Sequence, residues 1–250
     1  MTRQNSIAFS PQEKPGPDGP DNPPTLAAAA GHAQVAFRLL SSLSGDNAAL
    51  HPRGRCRMDL AYDPQSIDRL RGELEDYARR WPDEAEVVGH FLELLDEVES
   101  APFTRARLAG HFTGSAWLVD RSGARVLLTH HRKLGRWLQL GGHADGDTDL
   151  GRVALKEAEE ESGLDGLTLE PGLFDLDRHW IPERGDVPAH WHYDVRYVVR
   201  AGANEAFVVS EESLDLAWRD VRELLADPSS DESVRRMSEK WRAWSGQQAG

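Results

Sequence analysis

Residues 141–164 read GGHADGDTDLGRVALKEAEEESGL. A Gly-Gly turn opens the stretch, a helix is predicted over about 148–162, and a Gly-Leu pair closes it. Taken alone, the acidic run at 157–161 would be an ordinary solvated helix face. The helical phase says otherwise. At roughly 100° per residue, Glu157, Glu160 and Glu161 fall within one narrow sector, together with Leu150, Val153 and Ala154. Arg152, Lys156 and Glu159 lie on the other side and form the expected solvent face. Three carboxylates on a core-directed stripe repel one another and resist desolvation. A hard cation with oxygen ligands, Mg²⁺ or Mn²⁺, makes such a cluster tolerable.

Around this helix the pattern is one of strands. HFTGSAWLVD (111–120), a turn at Arg121-Ser122-Gly123 and ARVLLTHH (124–131) predict a hairpin. Further strands are expected near 167–183, 190–200 and 206–210. A helix follows at about 218–226, and Asp231 is placed to cap a last one. Mixed strands with two or three helices indicate an α/β or α+β sandwich. Before it, Ile67, Leu70, Leu74, Tyr77 and Trp81 recur at steps of three and four. Pro82-Asp83 breaks the run, and Val87, Val88, Phe91, Leu94, Leu95 and Val98 resume it. Residues 58–107 are therefore read as a helical extension, a hairpin that caps a cleft or forms the face of a homodimer. Residues 11–24 hold six of the fourteen prolines, and 1–57 are expected to be a largely disordered arm.

Charge narrows the function. The chain carries 42 acidic and 29 basic residues, a net charge of −13. So acidic a body repels a phosphate backbone, which argues against general nucleic-acid binding. A single cysteine, Cys56, excludes an intrachain disulfide and a Cys-rich zinc site. No stretch approaches the ~18–20 apolar residues that span a bilayer. LAAAAGHAQVAFRLLSSL (26–43) is interrupted by His32, Gln34 and Arg38, so it makes a poor signal peptide. A cytoplasmic protein without a membrane segment is expected.

The stretch resembles the Nudix box, G-x5-E-x7-R-E-U-x-E-E-x-G-U with U aliphatic. Its first glycine falls on Gly142, its R-E pair on Lys156-Glu157, its E-E pair on Glu160-Glu161 and its close on Gly163-Leu164. Two positions depart. Thr148 stands where the first glutamate belongs, and Lys156 replaces arginine. In the family those two residues pair and brace the helix, so a joint loss is easier to accept than a single one, and Thr148 can still cap the helix. Flanking runs are also similar: WLQLGGH (137–143), although Leu140 stands where proline is common, and SLDLAWRDVREL (213–224).

The resemblance implies a Nudix αβα sandwich with a mixed sheet over residues 108–250. It implies metal-assisted attack of water on a small-molecule diphosphate, such as a nucleoside diphosphate derivative. Glu157, Glu160 and Glu161 would hold Mg²⁺ or Mn²⁺, joined by a backbone carbonyl at Gly141-Gly142, with Gly142 the named candidate. One of the glutamates, or a hydroxide on the metal, would act as base. The alternative is a catalytically weak Nudix domain that binds a nucleotide or effector without turnover.

Two constellations flank the box. HHRKLGR (130–136) gathers Arg132, Lys133 and Arg136, either a basic surface loop or a patch that meets substrate phosphate. HWHYDVRYVV (190–199) alternates, with His190, His192, Asp194 and Arg196 on one strand face and Trp191, Tyr193, Val195 and Tyr197 on the other. The polar face is either the wet side of a sheet or the wall of a substrate cleft. His-x-His is also similar to the cupin metal motif, but no acid follows where that pattern needs one. Candidate substrate contacts are Arg132, His143, His190, His192, Asp194 and Arg196.

Overall fold

In a computed structural model of the chain, residues 63–97, 101–131, 135–209 and 213–247 are described. The expected arm at 1–57 and the basic residues Arg132 and Lys133 lie outside them. The helical extension is described from residue 63, with 98–100 left out.

Helix α1 spans Pro64–Arg80. Asp63 caps it by accepting from the Gln65 N–H, and proline occupies its first turn, where no N–H is needed. The run breaks at Pro82-Asp83, as the sequence predicts, in a short 3-10 turn, and α2 runs Ala85–Leu95. The apolar stripes of the two helices, including Leu70, Leu74, Tyr77, Val88 and Phe91, are buried in one core with Phe112, Val153, Tyr193 and Val195.

Seven strands follow: β1 Gly110–Val119, β2 Arg125–His131, β3 Arg136–Leu138, β4 Leu140–His143, β5 Thr168–Ile181, β6 His190–Arg200 and β7 Ser213–Asp220. The expected hairpin of β1 and β2 is paired only next to its turn, at Val119 and Val126. Beyond that pair the strands part. β1 takes β4 on one edge, antiparallel, and β6 on the other, parallel over ten residue pairs. β5 adds to β6, giving β4-β1-β6-β5. β2 lies between β3 and β7. The result is a mixed four-stranded layer joined at one corner to an antiparallel three-stranded one.

Helix α3, Leu150–Ser162, packs on one face of β1. Gly114 makes this close, since a Cβ there would lie 2.9 Å from the Leu150 carbonyl and from Val153. Helices α4, Val221–Ala226, and α5, Glu232–Gln247, cover the other face over Trp117, Val119, Phe174 and Val198. Asp231 accepts from the Ser233 N–H at the start of α5, as the sequence predicts. The layers are helix, sheet, helix.

Three local expectations are corrected. Residues 206–209 form no strand; Val208 instead donates its N–H to the Ser162 carbonyl at 2.8 Å, and Phe207 packs on the core. Gly141-Gly142 is not a turn but the middle of β4. Thr148 does not cap α3, because Asp149 does, accepting from the Arg152 N–H.

Candidate functional site

Thr148 has other work. It is buried, and its hydroxyl lies 2.6 Å from that of Ser66 and 3.3 Å from the Asp63 N–H that begins α1. The position that held a charged brace in the box pattern here ties α3 to α1 through hydroxyls. Arg152 and Asp147 supply an ion pair one residue away, with contacts of 2.6 and 2.8 Å. At its far end α3 stops at Gly163, whose φ of 66° is the left-handed conformation that glycine adopts freely.

Two of the three glutamates turn toward β4. The Gly141 N–H donates to Glu161 Oε1 at 2.9 Å. Gly142 leaves space for Glu157, since a Cβ on it would lie 2.6 Å from the Glu157 carboxyl carbon. Glu160 departs from the expected core-facing sector: its side chain is 60% exposed and pairs with Lys156 at 3.1 Å. Lys156, expected on the solvent face, reaches back to the cluster and also lies 3.4 Å from Glu157. Burial would lower the Lys156 ammonium, but Glu160 and Glu157 hold it above its ordinary value. The carboxylate oxygens of Glu157, Glu160 and Glu161 are the hard donors that Mg²⁺ or Mn²⁺ takes.

The sheet face away from α3 carries the second set of polar residues, and cross-strand register orders it in rows. His111, His192 and His179 stand side by side on β1, β6 and β5. Thr113, Asp194 and Asp177 make the next row, then Ser115, Arg196 and Asp175. On β4, His143 is opposite Thr113.

This face is not the wet side of a sheet. Arg196 is 2% exposed and reaches Asp194 at 2.7 Å, Asp175 at 3.0 Å and Asp177 at 2.7 Å. Asp194 also accepts from Thr113, Ser115 and Gln139. Arg236 and Lys240 of α5 bring two more cations to Asp175. Burial alone would raise the Asp175 carboxyl, yet Arg196, Arg236 and Lys240 hold it below its usual range. The guanidinium of Arg196 is thus engaged by three carboxylates.

Beyond this network lies a patch of imidazoles. The His111 ring centre is 5.2 Å from His143, 5.1 Å from His190 and 4.9 Å from His192. His179 is 5.4 Å from His192. Burial, followed by the neighbouring cationic groups and imidazoles, lowers His143 to about 4 and His192 to about 2. Burial also lowers His111. Sequence alone did not single out His111 or His179, because only strand pairing brings them to His192. In the basic stretch, Arg136 is exposed and pairs with Asp231 at 3.3 Å, and His130 stacks on Trp137.

A family model described as NUDIX domain matches residues 111–240. Among solved structures, a hydrolase of the NUDIX family from Clostridium perfringens is 28% identical, with a TM-score of 0.42, covering 54% of this chain and 97% of its own. A Nudix hydrolase from M. smegmatis, RenU, is 21% identical, with a TM-score of 0.40, covering 56% and 87%. A dihydroneopterin triphosphate pyrophosphohydrolase from E. coli is 18% identical, with a TM-score of 0.40, covering 52% and 92%. A search of curated proteins gives no significant match. Among the described residues, no helix is long and apolar enough to cross a membrane.

Proposed function

The chain belongs to the NUDIX family, and on that premise we propose that it hydrolyses a diphosphate linkage in a nucleoside diphosphate derivative or related small molecule, using Mg²⁺ or Mn²⁺. The observation that carries this reading is the convergence of Glu157 and Glu161 on the backbone of Gly141-Gly142. Glu157, Glu160 and Glu161 would hold the metal, with the Gly142 carbonyl as a further donor. When bound, the metal supplies neutralisation of the diphosphate, polarisation of its phosphorus–oxygen bonds and a lowered pKa for water. A carboxylate of the trio takes the proton from the attacking water.

The candidates on the polar face divide. His143 follows Gly142 directly and is proposed to touch the substrate. Asp194 and Arg196 are proposed to hold the strand face in shape without touching it, since each is already engaged.

One observation favours a second reading, a nucleotide- or effector-binding domain without turnover. Lys156 neutralises part of the glutamate cluster at Glu160 and Glu157. A panel of nucleoside diphosphate sugars, dinucleotides, nucleoside triphosphates and non-nucleotide diphosphates, each with Mg²⁺ and Mn²⁺, separates the two. Metal-dependent cleavage of one class is expected. Binding of a panel member with no cleavage under either metal would favour the second reading.

A further inference from the structure

We propose that His111, His190 and His192 form a second metal site, specific for a late first-row divalent cation and best suited to Zn²⁺. One ligand nitrogen from each residue lies within 4.8 Å of those of the other two. Three imidazole nitrogens bound tetrahedrally at Zn–N distances of about 2.0–2.1 Å would stand about 3.3 Å apart. His190 and His192 already approach this, with their Nε2 atoms 3.1 Å apart. His111 therefore has the larger part of the closing movement.

The outer hydrogen bonds set the tautomers. His190 Nδ1 lies 2.8 Å from the Pro188 carbonyl, and His111 Nδ1 lies 3.4 Å from the Arg107 carbonyl. A carbonyl only accepts, so both Nδ1 atoms carry hydrogen and both rings turn a bare Nε2 inward when neutral. This is the arrangement that orients metal-binding histidines, in which the second ring nitrogen donates to a fixed acceptor. His192 Nε2 donates to His190 in the metal-free state and needs only to shift its hydrogen to Nδ1.

A separate observation points to a ligand. His111 is 3% exposed, and its Nε2 is buried with no hydrogen-bond partner. A buried nitrogen without a partner has lost its hydration and gained nothing in return. Coordination would satisfy it.

The ligand chemistry sorts the two metals. Imidazole suits zinc, copper and nickel, whereas carboxylate and carbonyl oxygens suit magnesium and manganese. The three histidines come from the starts of β1 and β6, so the ion would pin that parallel pair. With three protein ligands, a fourth position stays for water or for the nearby His143.

The test uses the full chain stripped with chelator, then titrated with Zn²⁺ against a chromophoric competitor and with Co²⁺ as an optical probe. We expect one Zn²⁺ per chain, a tetrahedral Co²⁺ absorption and a higher melting temperature with Zn²⁺. His192→Asn and His111→Asn should each weaken Zn²⁺ by more than about 100-fold, beyond the range seen for outer-shell changes. Glu160→Gln should leave it unchanged. The proposal is overturned if the parent takes up no Zn²⁺ at micromolar concentration. It is equally overturned if Glu160→Gln abolishes uptake as fully as His192→Asn, which would place the ion on the carboxylates. Metal-free melting shows whether the histidine variants fold. Should one not fold, the parent's Co²⁺ spectrum decides: tetrahedral bands support the site, and an octahedral spectrum overturns it.

Discussion

Gly142 and Glu157 share one volume: a Cβ on the glycine would sit 2.6 Å from the glutamate's carboxyl carbon and from its Oε2. The atom displaced by such a methyl is the end of a flexible side chain, so the fold can absorb it. The carboxylate cannot then occupy its place. We expect Gly142→Ala to cost about 1–3 kcal/mol of stability at most while removing most metal-dependent turnover. Gly114→Ala should do the opposite, because its Cβ would meet the Leu150 carbonyl and Val153 at 2.9 Å. Urea unfolding and turnover of the two variants, measured together, check the contrast.

The glutamates themselves give the second prediction. Mg²⁺ at 100-fold above its Kd should stabilise the parent by about 2.7 kcal/mol. Glu160→Gln and Glu161→Gln should each blunt that shift and cut turnover by about 10²-fold or more. Both variants should stay as stable without metal as the parent, since Gln at 161 still offers an oxygen to the Gly141 N–H. A parent whose melting temperature ignores millimolar Mg²⁺ and Mn²⁺, with variants matching it in every assay, would refute the metal site.

Arg196 makes a prediction about stability instead of kinetics. Replacing it with methionine leaves Asp175, Asp177 and Asp194 without their shared cation in a buried setting. The expected loss is about 3–5 kcal/mol, the range for removing one partner of a buried ion pair. Arg196→Lys should rescue only part, because one ammonium cannot match the guanidinium's reach to all three. Chemical unfolding of the two variants is the measurement. A soluble Arg196→Met protein of parental stability but raised KM would return this residue to the substrate cleft.

Acid should act through Asp175. Its folded-state pKa lies below the ordinary 3.8, so its contribution is fully present above 3.8 and is lost as pH falls from there through the folded-state pKa. Unfolding free energy of the parent should therefore drop steeply below about pH 4. Asp175→Asn should be weaker at neutral pH and show a shallower acid limb. Equal acid slopes in both proteins would contradict the assignment.

How much of this was legible beforehand follows from where the information sits. Spacing along one helix exposed Glu157, Glu160 and Glu161, because a 3.6-residue period is written in consecutive positions. It did not show that Glu160 faces solvent, since a sector on a helical wheel does not reveal how far the neighbouring strand extends. The polar stripe of β6 was readable by alternation, but its burial was not. Asp175 and Asp177 come from elsewhere in the chain to meet Arg196, and Lys240 joins the network at Asp175. His111 lies 81 residues before His192 and meets it through parallel pairing, which no local pattern records. The apolar residues at 206–209 resemble a strand because docking on a core and pairing in a sheet draw on the same residue types.

The link between Thr148 and Ser66 carries no formal charge. Dissolved ions screen exposed charges and leave a buried hydroxyl pair almost untouched. Concentrated salt should thus loosen the grip of Lys156 on Glu160, whose side chains are 57% and 60% exposed, while the start of the same helix stays anchored. Ionic strength becomes a selective handle, one that alters the electrostatic company of the glutamates without unseating the rod that presents them.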